Sequence, residues 1–199
     1  MLNTTMSTLP HAPATLRNRE PIWKTIEPYL ENARHILEIA SGTGEHIEYM
    51  APLSPHITWQ PSDANHEMLW AIDERLHDHP NVLPAQHIDV CSSDWHELSY
   101  DILFCSNMIH ISPWASTEAL FAYAKPNQYL ILYGPFMENG IHNAQSNIAF
   151  DASLKERHPQ WGIRDLQDLR RLGIQHGLLL AEIHPMPANN HILIWKPHR

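Results

Sequence analysis

His35-Ile36-Leu37-Glu38-Ile39-Ala40-Ser41-Gly42-Thr43-Gly44 is the stretch that decides the fold. Its first six residues form an apolar run broken only by Glu38, which reads as a buried strand. Ser41 to Gly44 is a turn, because glycine admits backbone angles that other residues resist. Beyond it Ile47, Met50 and Ala51 recur on one face, so the spacing predicts a helix. Strand, glycine turn and helix together make a cradle for a polar or anionic ligand. The helix start offers unpaired N–H groups, and the turn lets the backbone come close.

The same alternation extends along the chain. Before the stretch, Asn18 is expected to cap a first helix, with Pro21 in its first turn and Ile22, Ile26 and Leu30 inward. Pro28 is expected to kink or end that helix. After the stretch, Ile57-Thr58-Trp59-Gln60 reads as a second strand ending at Pro61-Ser62-Asp63. Asn65 caps a helix striped by Met68, Leu69, Ile72 and Leu76. Strands are predicted at 82–87, 101–105 and 128–133, with a helix at 115–125 stopped by Pro126. A helix from Asp165 to His176 ends at Gly177. The chain closes with Leu178 to Ile183 and His191 to Trp195, read as an antiparallel pair. Such alternation predicts an α/β fold, a mostly parallel doubly wound sheet of seven strands with a C-terminal antiparallel hairpin. Residues 1–17 are expected to be a flexible tail and 18–199 one domain. The long mixed segment 135–163 is expected to cap the pocket.

The glycines narrow the ligand. A dinucleotide fingerprint needs a third glycine where this chain has Ile47. The alternative pattern is an acid followed by glycine positions two apart, and Glu38, Ala40, Gly42 and Gly44 fit it with Ala40 in the first slot. Asp63 follows Gly42 by 21 residues, where a carboxylate can accept from both hydroxyls of a ribose. His87-Ile88-Asp89-Val90 ends the third strand, and Asp89 is placed to accept from an exocyclic amine. Acids at three consecutive strand ends describe a nucleoside cradle.

This constellation resembles the class I S-adenosylmethionine-dependent methyltransferases. The resemblance implies their Rossmann-like fold and S-adenosylmethionine as cofactor. It implies that the loop at Gly42 and Gly44 faces the cofactor's amino-acid part, that Asp63 holds the ribose and that Asp89 holds the adenine amine. Asn18-Arg19-Glu20-Pro21-Ile22, Leu37 to Gly44, Trp59 to Asp63, Asn107-Met108-Ile109-His110-Ile111, Tyr133-Gly134-Pro135-Phe136, Asn147 to Asp151, Trp161-Gly162 and Met186 to Asn190 resemble the uncharacterised family represented in animals by methyltransferase-like protein 26.

Methyl transfer is an in-line displacement, so the protein chiefly aligns and desolvates. An oxygen or nitrogen nucleophile also takes a base. His110, after the fourth strand, is the candidate base, and Tyr133, ending the fifth, is the candidate to orient the acceptor. Asn107 does not open the Asn-Pro-Pro-aromatic motif of certain amino-methyltransferases. Arg19 is placed to pair with the cofactor's carboxylate or an acidic substrate. Asn65, Val90 and Asn107 complete the expected cofactor site. His142, Asn147 and Asp151 are expected to meet the substrate from the cap.

Composition bounds the partners. The chain has 199 residues, 13 Lys+Arg and 22 Asp+Glu. An acidic chain without a basic run argues for a small-molecule acceptor and against nucleic acid. There is no apolar stretch of membrane-spanning length. Two cysteines exclude a disulfide scaffold and point to a reduced, cytoplasmic compartment. The pairs His77-x-His79 and His87-x-Asp89 have no matching second pair, so no metal is expected. Protonating all 16 histidines would turn the net charge of −9 into +7, so the histidines read either as drift in composition or as a source of acid sensitivity. The rival readings are a non-catalytic member of the fold, a nucleotide-binding oxidoreductase, and an enzyme acting on RNA or protein.

Overall fold

A computed structural model describes residues 9–92, 95, 97–124 and 129–198. Residues 1–8, nearly half of the expected tail, and Lys125, Pro126 and Gln128 lie outside the described residues. The elements run α1 (Pro13–Leu30), β1 (His35–Ile39), α2 (Glu45–Met50), β2 (Thr58–Asp63), α3 (His66–Leu76), β3 (Gln86–His87), β4 (Ile102–Ser106), α4 (Trp114–Tyr123), β5 (Tyr129–Gly134), β6 (Phe136–Glu138), β7 (Ile141–His142), α5 (Gln145–Arg157), β8 (Arg164–Asp165), α6 (Leu166–Gln175), β9 (Leu178–Met186) and β10 (Asn190–Pro197).

The main sheet has seven strands in the order β3-β2-β1-β4-β5-β10-β9. The first five are parallel, and β10 pairs antiparallel with both β5 and β9. Strand β1 lies in the middle, with Ile36 opposite Trp59 on one side and Ile102 on the other. Strands β4 and β5 are apolar almost throughout because helices cover both faces of the sheet. One face packs Leu37, Leu103, Leu132, Leu193 and Trp195 against α4 and α6. The other packs Ile36, Phe104, Ile131 and Ile194 against α1, α2 and α3. The seven-stranded α/β sheet with its closing antiparallel hairpin is the architecture the sequence predicts.

Three local expectations are corrected. The first helix begins at Pro13, not at Asn18, so the ordered domain takes in residues assigned to the tail. Proline's fixed φ suits a first helical turn, and Pro13 occupies it. Asn18 lies inside the helix and is buried, and the helix passes Pro21 and Pro28 to reach Leu30. The third strand shrinks to Gln86–His87, with Val82 making only a single bridge to Trp59. Between them Pro84 has no N–H to give a ladder, and its carbonyl is taken by the Gln60 side chain at 2.8 Å. The closing hairpin is longer than read, and its turn is tighter. Ala188 and Asn189 both adopt left-handed backbone angles, with φ of 58° and 59°.

Segment 135–163 runs through β6, β7 and α5, and its short strands join β8 in a three-stranded sheet of order β7-β6-β8. Cys91 is exposed and Cys105 buried, and both are free thiols. Among the described residues no helix is long and apolar enough to cross a membrane.

Candidate functional site

The strand ends of β1, β2, β4 and β5 open on one edge of the sheet, and the site is built there. After β1 the chain turns through three left-handed residues, Ala40 (φ 57°), Gly42 (φ 57°) and Gly44 (φ 75°). Gly44 starts α2, and the angle there favours glycine. Ala40 holds the same kind of angle with a Cβ, a strained conformation. A Cβ on Gly42 would meet nothing within 4 Å, so this residue faces open space.

The loop is held from beneath. Ser41 N–H donates to Ser62 O at 2.7 Å, and Ser62 Oγ donates to Glu38 O at 2.6 Å. Gly42 N–H donates to Asp63 Oδ2 and Asn65 N–H to Asp63 Oδ1, each at 2.9 Å. Asn65 Oδ1 accepts from Glu67 N–H and so caps α3. From above, Arg75 donates to Thr43 O at 2.7 Å and to Pro10 O at 2.8 Å. Buried Glu45 takes Ala12 N–H at 2.7 Å and pairs with His11. Residues 10–12 are thereby strapped over the loop and α2.

Glu38 is 1% exposed, and its Oε2 has no partner among the described residues. Burial, reinforced by the Asp63 charge, pushes its carboxyl up to about 7, against the lowering effect of a hydrogen bond from Ser41. His46 Nδ1 stands 3.9 Å from Glu38 Oε1, and its Nε2 meets Asn18 Oδ1 at 2.9 Å. Burial holds His46 down to about 4. Asp89 lies exposed past β3 and accepts from Cys91 N–H at 2.9 Å, while Val90 turns into the core. His66 and His87 stack nearby with ring centroids 3.7 Å apart.

On the other side, Asn107 leaves β4 with φ 62° and leads into a turn carrying His110. His110 is fully buried, and neither ring nitrogen has a partner among the described residues. Burial, with the Arg164 charge adding, drives it down to about 3. A Cβ on Gly134 would lie 2.4 Å from His110 Nε2 and 3.4 Å from Asn107 Oδ1. Asn107, His110 and Gly134 thus converge where β4 and β5 end. Phe136 meets the His110 ring edge-on at 5.1 Å. Across from Gly134 in β10 stands His191, whose Nδ1 also lacks a partner among the described residues.

The cap residues are engaged with one another. Asp151 accepts from Ile163 N–H at 2.7 Å and Lys155 Nζ at 2.6 Å, with His142 Nε2 at 3.5 Å. Asn147 donates to Asn143 Oδ1 at 2.7 Å and to Asn189 O at 3.0 Å, and Asn143 donates to the same carbonyl at 3.3 Å. Asn147 and Asp151 therefore hold the cap's shape and tie it to the turn between β9 and β10. Tyr133 Oη accepts from Asn190 Nδ2 at 2.9 Å. Arg19 lays its guanidinium over the Tyr49 ring at 4.9 Å. Among the described residues no group of three His, Cys, Asp or Glu is placed to hold a metal.

Sequence reading missed Gly134, His46, Asn190 and His191. Asn190 had a signal, since Met186 to Asn190 stood out as a motif. Gly134 had the same kind of signal in Tyr133-Gly134-Pro135-Phe136, but its role depends on a ring packed against it from another element.

The fold has many solved counterparts. An O-methyltransferase family protein from Burkholderia thailandensis matches with TM-score 0.73 at 14% identity, over 90% of this chain and 58% of its own. Human N-acetylserotonin methyltransferase, in complex with S-adenosylmethionine, matches with TM-score 0.73 at 11% identity, over 89% and 53%. The O-methyltransferase of neocarzinostatin biosynthesis, in complex with S-adenosylmethionine and 2-hydroxy-5-methyl naphthoic acid, matches with TM-score 0.70 at 13%, over 90% and 56%. The chain thus spans rather more than half the length of these proteins, and the likeness is one of fold. A closer relation comes from a family profile matching residues 9–197, and by it the chain belongs to the DUF938 family, described as proteins of unknown function.

Proposed function

We propose that this chain binds S-adenosylmethionine and transfers its methyl group to a small-molecule acceptor. The observation that carries the reading is Glu38, a buried carboxyl with one oxygen unpartnered among the described residues, set beneath a loop whose Gly42 faces open space. A buried acceptor without a donor costs about 1–3 kcal/mol, and a ligand ammonium removes that cost. S-adenosylmethionine carries such an ammonium on its amino-acid end. When bound, it supplies an electrophilic methyl group on a positively charged sulfur.

The chain's residues divide the remaining work. Asp63 keeps lone pairs on both oxygens for the ribose hydroxyls, since each takes only one backbone N–H. Asp89, Asn65 and Val90 border the adenine end. Ala40 and Gly44 set the loop, and Arg19 and Asn107 flank it. His110 is uncharged at neutral pH and takes the acceptor's proton at a ring nitrogen. Burial leaves the imidazole a weak base, so in this reading proton transfer to it accompanies methyl transfer and does not precede it. His142, Asn147 and Asp151 close the roof over the acceptor. The names of the three structural neighbours support methyl transfer, and one of them pairs the cofactor with an aromatic hydroxy acid. The finer resemblance is to the family of methyltransferase-like protein 26, in a cytoplasmic setting.

A thermal-shift titration with S-adenosylmethionine, S-adenosylhomocysteine and NAD tests the reading. A ligand at 100 times its dissociation constant stabilises by about 2.7 kcal/mol. That is a rise of roughly 5–11 °C for a chain of this size. The two sulfur compounds should give it, NAD should not, and Asp63→Ala should abolish it. No rise with either sulfur compound would overturn the reading in favour of a non-catalytic member of the fold.

A further inference from the structure

The end of the cap grips the turn that carries His110. Arg164 Nε donates to Ile109 O at 2.7 Å, and its Nη2 donates to Ser112 O at 2.6 Å. Between these two carbonyls lies His110, whose own carbonyl accepts from Gly162 N–H at 2.9 Å. Arg164 Nη2 also donates to Gln160 O at 3.2 Å, and the guanidinium carbon stands 5.7 Å from the centre of the Trp114 ring. On the far side, Ile163 N–H donates to Asp151 Oδ1 at 2.7 Å, so residues 162–164 join α5 to the 109–112 turn. Gly162 fits there because it has no side chain. A Cβ would lie 2.9 Å from Asp151 Oδ1 and 3.2 Å from Lys155 Cε.

Among the described residues, the hydrogen bonds of Arg164 all go to backbone carbonyls. A guanidinium presents its N–H groups in a rigid plane, so one side chain fixes two carbonyls at a set spacing. His110 has no such bond of its own, since both ring nitrogens lack partners among the described residues. Its place is set by the turn, the Phe136 ring and Gly134.

The geometry points to Arg164 as the positioning residue for His110: its fork, with Gly162, clasps the 109–112 turn to the cap, and the imidazole keeps its buried seat only while the two are joined. The assignment rests on the function proposed above, in which His110 receives the acceptor's proton. A roof tied in this way carries the base with it, so the closure that shields the acceptor also places its base.

Nuclear magnetic resonance of the histidine rings in the full chain tests the clasp, with the His110 signal identified by its loss in His110→Gln. In wild type the ring stays uncharged below pH 5. Burial and the Arg164 charge hold it to about 3, against the Gly162 backbone and the Asp151 charge. Arg164→Lys keeps the charge and loses the fork, so a change reports position and not charge. Its His110 should titrate about one to three pH units higher, toward the ordinary histidine value. His46, packed on Phe104 at the other face of the sheet, should not move. If Arg164→Lys is less stable but its His110 titrates as in wild type, Arg164 only fastens β8, and the assignment is overturned while the cofactor reading stands. If His46 rises together with His110, the fold has loosened as a whole and the assignment is overturned as well. If S-adenosylmethionine gives wild type no thermal shift, the cofactor reading falls and positioning for methyl transfer with it. Should Arg164→Lys fail to fold, Gly162→Ala, which presses on the Asp151 anchor, decides by the same readout.

Discussion

The strand ends of β1 to β3 and those of β4 and β5 are built on opposite terms. On the first side each acid already accepts from the backbone. Asp63 takes two N–H groups, Asp89 takes one, and Asn65 caps its helix. On the second side His110, His142 and His191 keep ring nitrogens inside the protein with no partner among the described residues. Glu38, at the boundary, shares both characters. The first side is shaped before any ligand arrives. The second carries an unmet polar demand that a ligand can satisfy, at the expense of the free protein's stability.

Acid is the strongest way to test the contrast. His46 and His110, near 4 and 3 in the fold, sit below the 6.5 of an unfolded histidine. Unfolding takes up protons, so their contribution is present above pH 6.5 and lost as pH falls toward those values. By pH 4 each should remove about 3 kcal/mol. Glu38 acts oppositely. Its folded value near 7 exceeds 4.5, so its contribution is full below 4.5 and lost as pH rises through 7, returning about 3 kcal/mol on acidification. These three groups give urea denaturation a net fall of about 3 kcal/mol from pH 7 to pH 4, and the lowered His191, Glu45 and Asp151 deepen it. Glu38→Gln should deepen the fall by about 3 kcal/mol and His110→Leu should reduce it by about as much. A flat profile in wild type would break the comparison.

Next in size is Gly134→Ala. Its new methyl would press on His110 Nε2, and overpacking of this kind costs about 1–3 kcal/mol. The double variant with His110→Ala should recover most of the loss, which a coupling measured by denaturation would reveal. Full additivity would mean that the ring is not what confines the glycine. The smallest effect sharpens the first side. Ala40→Gly should relieve a left-handed alanine and, after the added freedom of the unfolded chain, gain up to about 1 kcal/mol. A loss of stability would show that the Cβ contributes more than the strain costs.

The same contrast governs what could be read in advance. The alternation of strands and helices, the glycine loop, Asp63 and the Asn65 cap depend on spacing along the chain, and spacing is visible in a sequence. The convergence of Asn107, His110 and Gly134 depends on two strands meeting in space. The hydrogen bonds from His46 to Asn18 and from Asn190 to Tyr133 each join elements far apart in the chain. Asn18 illustrates the difficulty: a residue that favours helix caps was read as one, and tertiary contact with His46 placed it mid-helix instead.

The turn at 187–189 has a consequence for anyone rebuilding this protein. Hairpin tips are the usual places to graft a tag, insert a domain or open new termini. This one bends through two left-handed residues, and its Asn189 carbonyl anchors two amides from the cap. Cutting or lengthening the chain there would release the roof and disturb the strand that carries Asn190 and His191, so splice points belong elsewhere.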